Sequence, residues 1–251
     1  MEDEQRTIQE IGIEDVISPD RLAEIQAGAD DICWTDDWSV EFYWALVRAG
    51  FISTCFEIGE GRCVLLPEIQ KAYAVLDWGH LHVSRSMRRW LKSEECHGAG
   101  YELRVGHDLS AVVTGICRFH GATSWLTGHY QRLLVELLAG GGQGFELMPV
   151  GLIDREGRLH AGEIGYRCGR TYTSLSGFFD RSRTNVGKLQ LLRLGEYLRD
   201  GGYVFWNLGH PYFQYKIDLG ARILERPEFL RRWREGIGGS LPASSKRGNG
   251  A

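Results

Sequence analysis

Several features are missing from this 251-residue sequence, and each absence closes a class of function. No segment approaches the run of roughly 18 apolar residues that a membrane-spanning helix needs, so no membrane partner is expected. Six cysteines (Cys33, Cys55, Cys63, Cys96, Cys117 and Cys168) are scattered without a CxxC or any metal-ligand spacing. They read as buried thiols in a reducing compartment, and neither a disulfide frame nor a metal site is expected. Positive charge is not in excess either: the formal net charge is −4 and the pI is near 6.1. That argues against a protein that coats duplex nucleic acid through general charge, but leaves a local basic patch open. The opening stretch, Met1-Glu2-Asp3-Glu4-Gln5-Arg6, is acidic and unlike a secretory signal or transit peptide. A soluble, cytoplasmic protein is the expectation.

What is present is a basic segment on an acidic chain. In Leu81–Lys92, "LHVSRSMRRWLK", Arg85, Arg88, Arg89 and Lys92 fall at i, i+3, i+4 and i+7, one face of a helix. Met87, Trp90 and Leu91 lie on the other side, and Ser84 is placed to cap the start. An anchored helix with a basic stripe suits a phosphate backbone. A solvated face is the plain alternative.

Along the chain, helices are expected at Pro19–Ala27, at 39–50 between Ser39 and Gly50, at 108–117, and at 127–139 before a run of glycines. Phe145–Ile153, Arg158–Cys168 and Arg170–Ser176 read as extended runs, the first two joined by the turn Asp154-Arg155-Glu156-Gly157. A helix at Gly187–Leu198, a strand at Tyr203–Leu208 and a helix near Pro227–Glu235 follow. The order predicts an α+β protein. It divides into an N-terminal extension and small domain (1–78), an acyltransferase-like catalytic domain (79–236) and a polar, disordered tail (237–251).

Several stretches together resemble the leucyl/phenylalanyl-tRNA–protein transferases. "LHVSRSMRRWLK" is similar to that family's L-H-I-S-R-S-M-K-R segment, Ser124-Trp125-Leu126-Thr127 to its T-W-I-T step, and Arg62–Glu68, "RCVLLPE", to its R-A-V-L-W-P-E run. Gly162–Gly165, Phe178, Lys188 and Leu219-Gly220-Ala221 follow in the family's order, and the resemblance spans roughly Asp37 to Leu230. It implies a small N-terminal domain and a C-terminal acetyltransferase-superfold (GNAT-like) domain. The implied activity passes leucine or phenylalanine from a charged tRNA to a protein's N-terminal amine, an N-degron mark for degradation. The partners implied are an aminoacyl-tRNA, as co-substrate, and an acceptor protein or peptide N-terminus, with no further cofactor. The resemblance places the basic helix of Arg85, Arg88, Arg89 and Lys92 on tRNA.

Aminolysis of an already activated ester asks for orientation, oxyanion stabilisation and proton handling. The family's aspartate for proton handling falls at Asn207, which accepts hydrogen bonds but not a full proton. His210 is the nearby titratable alternative. The family's acceptor-binding glutamate falls at Leu175; Glu163 on the neighbouring strand is a substitute, or a merely solvated strand residue. Trp125 is carried over as a cleft wall, and Phe178 as a lining residue or a core one. Lys188, at the start of the Gly187–Leu198 helix, offers an anion site or a solvated cation. Gln214-Tyr215-Lys216 follows the site strand, either touching substrate or turning on the surface. Two further readings stay open: an aminoacyl-tRNA-dependent acyltransferase acting on a small molecule or another amine, and a non-catalytic tRNA-binding relative.

Overall fold

A computed structural model of the chain describes residues 8–59, 61–140, 142, 144–239 and 241. Its first part packs β1 (Gln9–Glu10), α1 (Ile13–Ile17), α2 (Pro19–Ala27), β2 (Cys33–Trp34) and α3 (Val40–Ala49) beside the hairpin β3 (Ile52–Gly59) and β4 (Arg62–Glu68). α3 forms where expected because Ser39 Oγ accepts from Phe42 N, and Gly50 ends it with φ of 94°. β5 (Ala72–Leu76) then enters a larger sheet, although its residues fall within the small domain expected over 1–78.

The basic segment is next: α4 (Arg85–Trp90) and α5 (Glu94–Ala99), followed by β6 (Glu102–Val105), α6 (Leu109–His120) and α7 (Gly128–Ala139). The expected helix through Lys92 stops at Trp90. Ser93 is the reason: its Oγ donates to the Trp90 carbonyl and accepts from Cys96 N, capping α5. A meander follows, β7 (Phe145–Ile153), β8 (Leu159–Cys168) and β9 (Thr171–Phe179). The chain finishes with α8 (Val186–Asp200), β10 (Phe205–Asn207), α9 (Gln214–Asp218), β11 (Arg222–Glu225) and α10 (Arg226–Ile237). The tail expected over 237–251 lies outside the described residues at 240 and from 242 onward, as do residues 1–7; Ile237 itself still belongs to α10.

The large sheet has seven strands in the order β11-β5-β10-β9-β8-β7-β6. All its pairs are antiparallel except β9–β10, and α8 supplies the crossover that a parallel pair requires. The architecture is α+β. α6 and α7 cover one face, in a core with Val112, Ile116, Tyr130, Leu134, Ile164 and Tyr166. α8 covers the other, where Leu194 and Leu198 meet Tyr172 and Trp206, and Leu189 and Leu192 meet Ala161, Met87 and Trp90. Alternation along β8 sorts the faces: Ala161 and Glu163 look to α8, Ile164 and Tyr166 to the α6 side, while β9 carries one extra residue, Leu175, opposite Ile164 and Gly165.

One glycine ties the sheet's far edge to the basic helix. Gly220 has φ of +105°, and a Cβ there would stand 1.8 Å from the His80 carbonyl oxygen. His82 N donates to the Leu219 carbonyl at 2.8 Å beside it, so Leu219-Gly220-Ala221 seats the segment that leads into α4.

Candidate functional site

α4 is held by its apolar side and free on its basic one. Ser84 Oγ accepts from Met87 N at 3.2 Å. Met87 and Trp90 are buried against Leu189 and Leu192 of α8. Arg85, Arg88 and Arg89 are exposed, as is Lys92 just past the helix end, and none of the four forms an ion pair among the described residues. Most of the other arginines do: Arg158 with Asp154, Arg167 with Glu146, Arg222 and Arg232 with Asp77. Lys188, in the first turn of α8, is exposed as well. Together with Ser84 and Met87, and with Leu191, Leu192, Tyr215 and Leu219, it lines a cleft of about 310 Å³ between α4, α8 and α9. The side of α4 opposite its cations thus borders the cleft that Lys188 lines. α8 itself starts from Asn185, held at φ of 63° with no side-chain cap.

A second focus lies where the parallel strands part. β10 pairs with β9 only from Phe205–Asn207 to Thr171–Thr173, while β9 runs on to Phe179. The two strands part beyond Asn207 and Thr173, leaving an opening at their carboxyl ends. Asn207 lies at its apex, 1 % exposed, with both ends of its amide engaged: Nδ2 donates to Thr173 Oγ1 at 3.3 Å, and Oδ1 accepts from Gly209 N at 3.0 Å. Its oxygen keeps one lone pair. His210 is half-buried; its Nε2 meets the Glu68 carboxylate at 2.9 Å, and its ring stacks on Tyr212.

Glu163 is a buried group, 3 % exposed, and not the solvated strand residue that its sequence position allows. Tyr172 and Ser174 hydroxyls donate to its Oε1 at 2.9 and 2.7 Å, and Gln190 Nε2 donates to Oε2 at 3.0 Å. Ser174 in turn accepts from Trp206 Nε1. Burial pushes the carboxyl above its ordinary range, against these donors and the nearby Lys216 charge. Sequence reasoning missed this network. The only signal for it was an acid in an otherwise apolar strand.

Trp125, Leu175 and Phe178 pack against the core on the α6–α7 side. Trp125 meets Tyr130 edge-on at 4.7 Å. Phe178 fills the place where a Cβ on Gly115 of α6 would lie, 2.4 Å from the ring. The apolar face of α8 is on the other side of the sheet, so Trp125 and Phe178 do not share a pocket wall with it. Gln214-Tyr215-Lys216 is not a surface turn but the start of α9, with Lys216 buried beneath the opening.

No helix among the described residues is long and apolar enough to cross a membrane. Comparison with known proteins places this geometry. A protein of Rubrobacter xylanophilus named leucyl/phenylalanyl-tRNA–protein transferase is 31 % identical over 166 residues, 65 % of this chain and 78 % of that one. A protein of the same name from Paracoccus denitrificans is 28 % identical over 160 residues, 63 % of this chain and 68 % of its own. Among solved structures, FemX has a TM-score of 0.46 at 11 % identity, covering 82 % of this chain and 73 % of its own. L-PGS from Bacillus licheniformis has a TM-score of 0.44 at 12 %, covering 82 % and 72 %. Neither likeness is close enough to carry an argument. Residues 75–234 match the leucyl/phenylalanyl-tRNA protein transferase family. Arg62–Glu68, similar by its letters to a family run, falls outside that match and forms one strand of the β3–β4 hairpin. The matched residues hold the basic helix, the α4–α8–α9 cleft and the β9–β10 opening, and the chain belongs to the leucyl/phenylalanyl-tRNA–protein transferase family.

Proposed function

We propose that this protein takes an aminoacyl group from a charged tRNA and passes it to the N-terminal amine of a protein, tagging that protein, on a scaffold of the acetyltransferase type. The observation that carries the reading is the exposed cation face of α4, unpaired among the described residues, on a helix whose other side borders the cleft that Lys188 lines. Arginines and lysines without carboxylate partners are free to neutralise phosphates. The cleft's apolar walls, Leu191, Leu192 and Leu219, suit the acylated 3′ end: hydrophobic surface for base and side chain, a cation for phosphate. The antiparallel sheet with one splayed parallel pair supports the acetyltransferase-type scaffold. The ester is already activated, so the reaction needs no cofactor beyond the tRNA.

Asn207 and the Glu163 network lie at the opening, with Trp125 and Phe178 on the α6–α7 side of the sheet. Asn207 orients the amine through its remaining lone pair and shapes the strand exit through Gly209. The transferred side chain is leucine-like, because the cleft walls are largely aliphatic. Leu175 favours a second reading of the acceptor: half-buried and apolar, it offers no counter-ion to a basic first residue. The deciding experiment offers leucyl-tRNA and peptides of differing first residue to the purified chain. Transfer to peptide supports the reading. Binding of tRNA with no transfer to any amine would leave only a tRNA-binding relative.

A further inference from the structure

The β9–β10 opening is plugged from below by one side chain. Lys216 of α9 is 5 % exposed, and its Nζ donates to the carbonyl oxygens of Leu208 at 2.5 Å and His210 at 2.6 Å. These carbonyls flank Gly209, where the chain leaves β10. An ammonium has three N–H positions. Two are fixed by these carbonyls; the third has no hydrogen-bond acceptor among the described residues, and the Phe213 ring lies 5.3 Å from Nζ. Tyr215, one residue earlier, lines the cleft that holds Lys188.

The other titratable groups of the opening are already engaged. The Glu163 oxygens are bonded to Tyr172, Ser174 and Gln190. The His210 Nε2 is held by Glu68 and its ring by Tyr212. Asn207 takes no full proton.

Resting on the transferase reading above, we propose that Lys216 is the proton acceptor of the transfer reaction. As a neutral amine it keeps two N–H groups on the Leu208 and His210 carbonyls, so its lone pair takes the third direction. The acceptor amine attacks the ester carbonyl carbon and a C–N bond forms. A proton leaves that nitrogen for Nζ. The adduct collapses with cleavage of the bond to the ribose oxygen, which leaves with the proton from Nζ. An amide and a free ribose hydroxyl result, and Lys216 is neutral again.

The surroundings suit this role. Burial pushes the Lys216 amine down to about 8, with the Glu163 carboxylate of β8 acting in the opposite direction. Tyr215 on the same helix is pushed up to about 12 by burial and stays a neutral phenol. The remaining charges around the amine are the His210–Glu68 pair across the loop, Asp218 on α9 and Lys188 on α8. A base whose pKa lies near the working pH is the efficient kind.

The test is single-turnover transfer from leucyl-tRNA by the full chain, with tRNA binding and thermal melting measured on the same samples. Lys216→Arg keeps cationic donors for both carbonyls but releases no proton near neutral pH. It is expected to slow transfer by about 10²-fold or more while tRNA binding stays within about threefold. A Lys216→Arg protein that transfers within about threefold of the parent overturns the proposal. Should that variant not fold, the parent alone decides, using an acceptor whose α-amine pKa is lowered to about 6 from the usual ~7.7–8.0. A rate that rises to a plateau near pH 8 is expected; a rate flat above about pH 6.5 overturns the assignment. Absence of transfer by the parent with every acceptor removes the transferase reading, and the proton acceptor with it.

Discussion

Two helices of this protein carry the same triplet and use it in opposite ways. In α4 it is Arg88-Arg89-Trp90, in α10 Arg231-Arg232-Trp233. The tryptophan is buried in both. Around Trp233 the arginines are consumed by the fold. Arg232 pairs with Asp77 and lies over the Phe205 ring, Arg231 pairs with Glu235, and Arg234 reaches Gln26. Arg226, at the head of the helix, donates to the carbonyls of Gln26, Gly28, Ile69 and Gln70 and to Asp31. Around Trp90 the cations project into solvent, with no ion pair among the described residues. The contrast separates arginine as mortar from arginine as recognition. Local pattern does not tell them apart; the presence of Asp31, Asp77 and a ring of carbonyls does.

The sharpest way to break the comparison is at Arg226. Arg226→Ala removes the guanidinium from four carbonyls and leaves Asp31 only its longer pair with Lys71, and is expected to cost about 3–5 kcal/mol in denaturant unfolding. A loss no larger than that of Arg88→Ala would erase the distinction. Next in size is the double change Arg88→Ala with Arg89→Ala. It should leave stability within about 0.5 kcal/mol while weakening tRNA binding. The slope of log K against log salt should become shallower by up to about 0.7–0.9 for each phosphate no longer neutralised, in binding titrations at several salt concentrations. Unchanged affinity and slope would return α4 to an ordinary solvated face.

A smaller effect concerns pH. Burial raises the Asp77 carboxyl, but Arg232 and Arg222 outweigh it and hold the group below its ordinary range. A carboxylate with a depressed folded-state pKa contributes stability above its unfolded value, near 3.9, and loses it as pH falls through the folded one. Melting temperature should therefore drop more steeply below about pH 4 in the parent than in Asp77→Asn. Equal acid limbs would show that the α10 arginines do not need this partner. Smallest of all is Arg231→Ala. Its pair with Glu235 is largely exposed, so unfolding should change by no more than about 0.5 kcal/mol.

Much of the scaffold was legible in the letters because it is local. Ser39 and Gly50 bound α3, Ser84 caps α4, and the turn Asp154–Gly157 joins β7 to β8. The short elements were not legible. α5 and α9, six and five residues long, form where Ser93 and the buried Lys216 hold them, with too few turns to show a period. The site was half visible. Arg85, Arg88, Arg89 and Lys188 stand out as cations, but the cleft that Lys188 lines beside α4 appears only when α4 docks on α8. Trp125 and Phe178 lie across the sheet from α8, a placement that only the packing of α6 and α7 on the sheet decides.

By itself, the sequence determined the elements that hydrogen bonds and side chains within a few residues decide: most of the helices, the meander, and the family to which its motifs belong. Tertiary structure alone decided which charges are spent and which are free. Asp77 is about 155 residues from Arg232, and Gln190 is 27 residues from Glu163. No local rule anticipates either pairing. Burial then set the chemistry of Glu163 and Lys216, because the cost of a charge depends on what surrounds it in space and not on its neighbours in the chain.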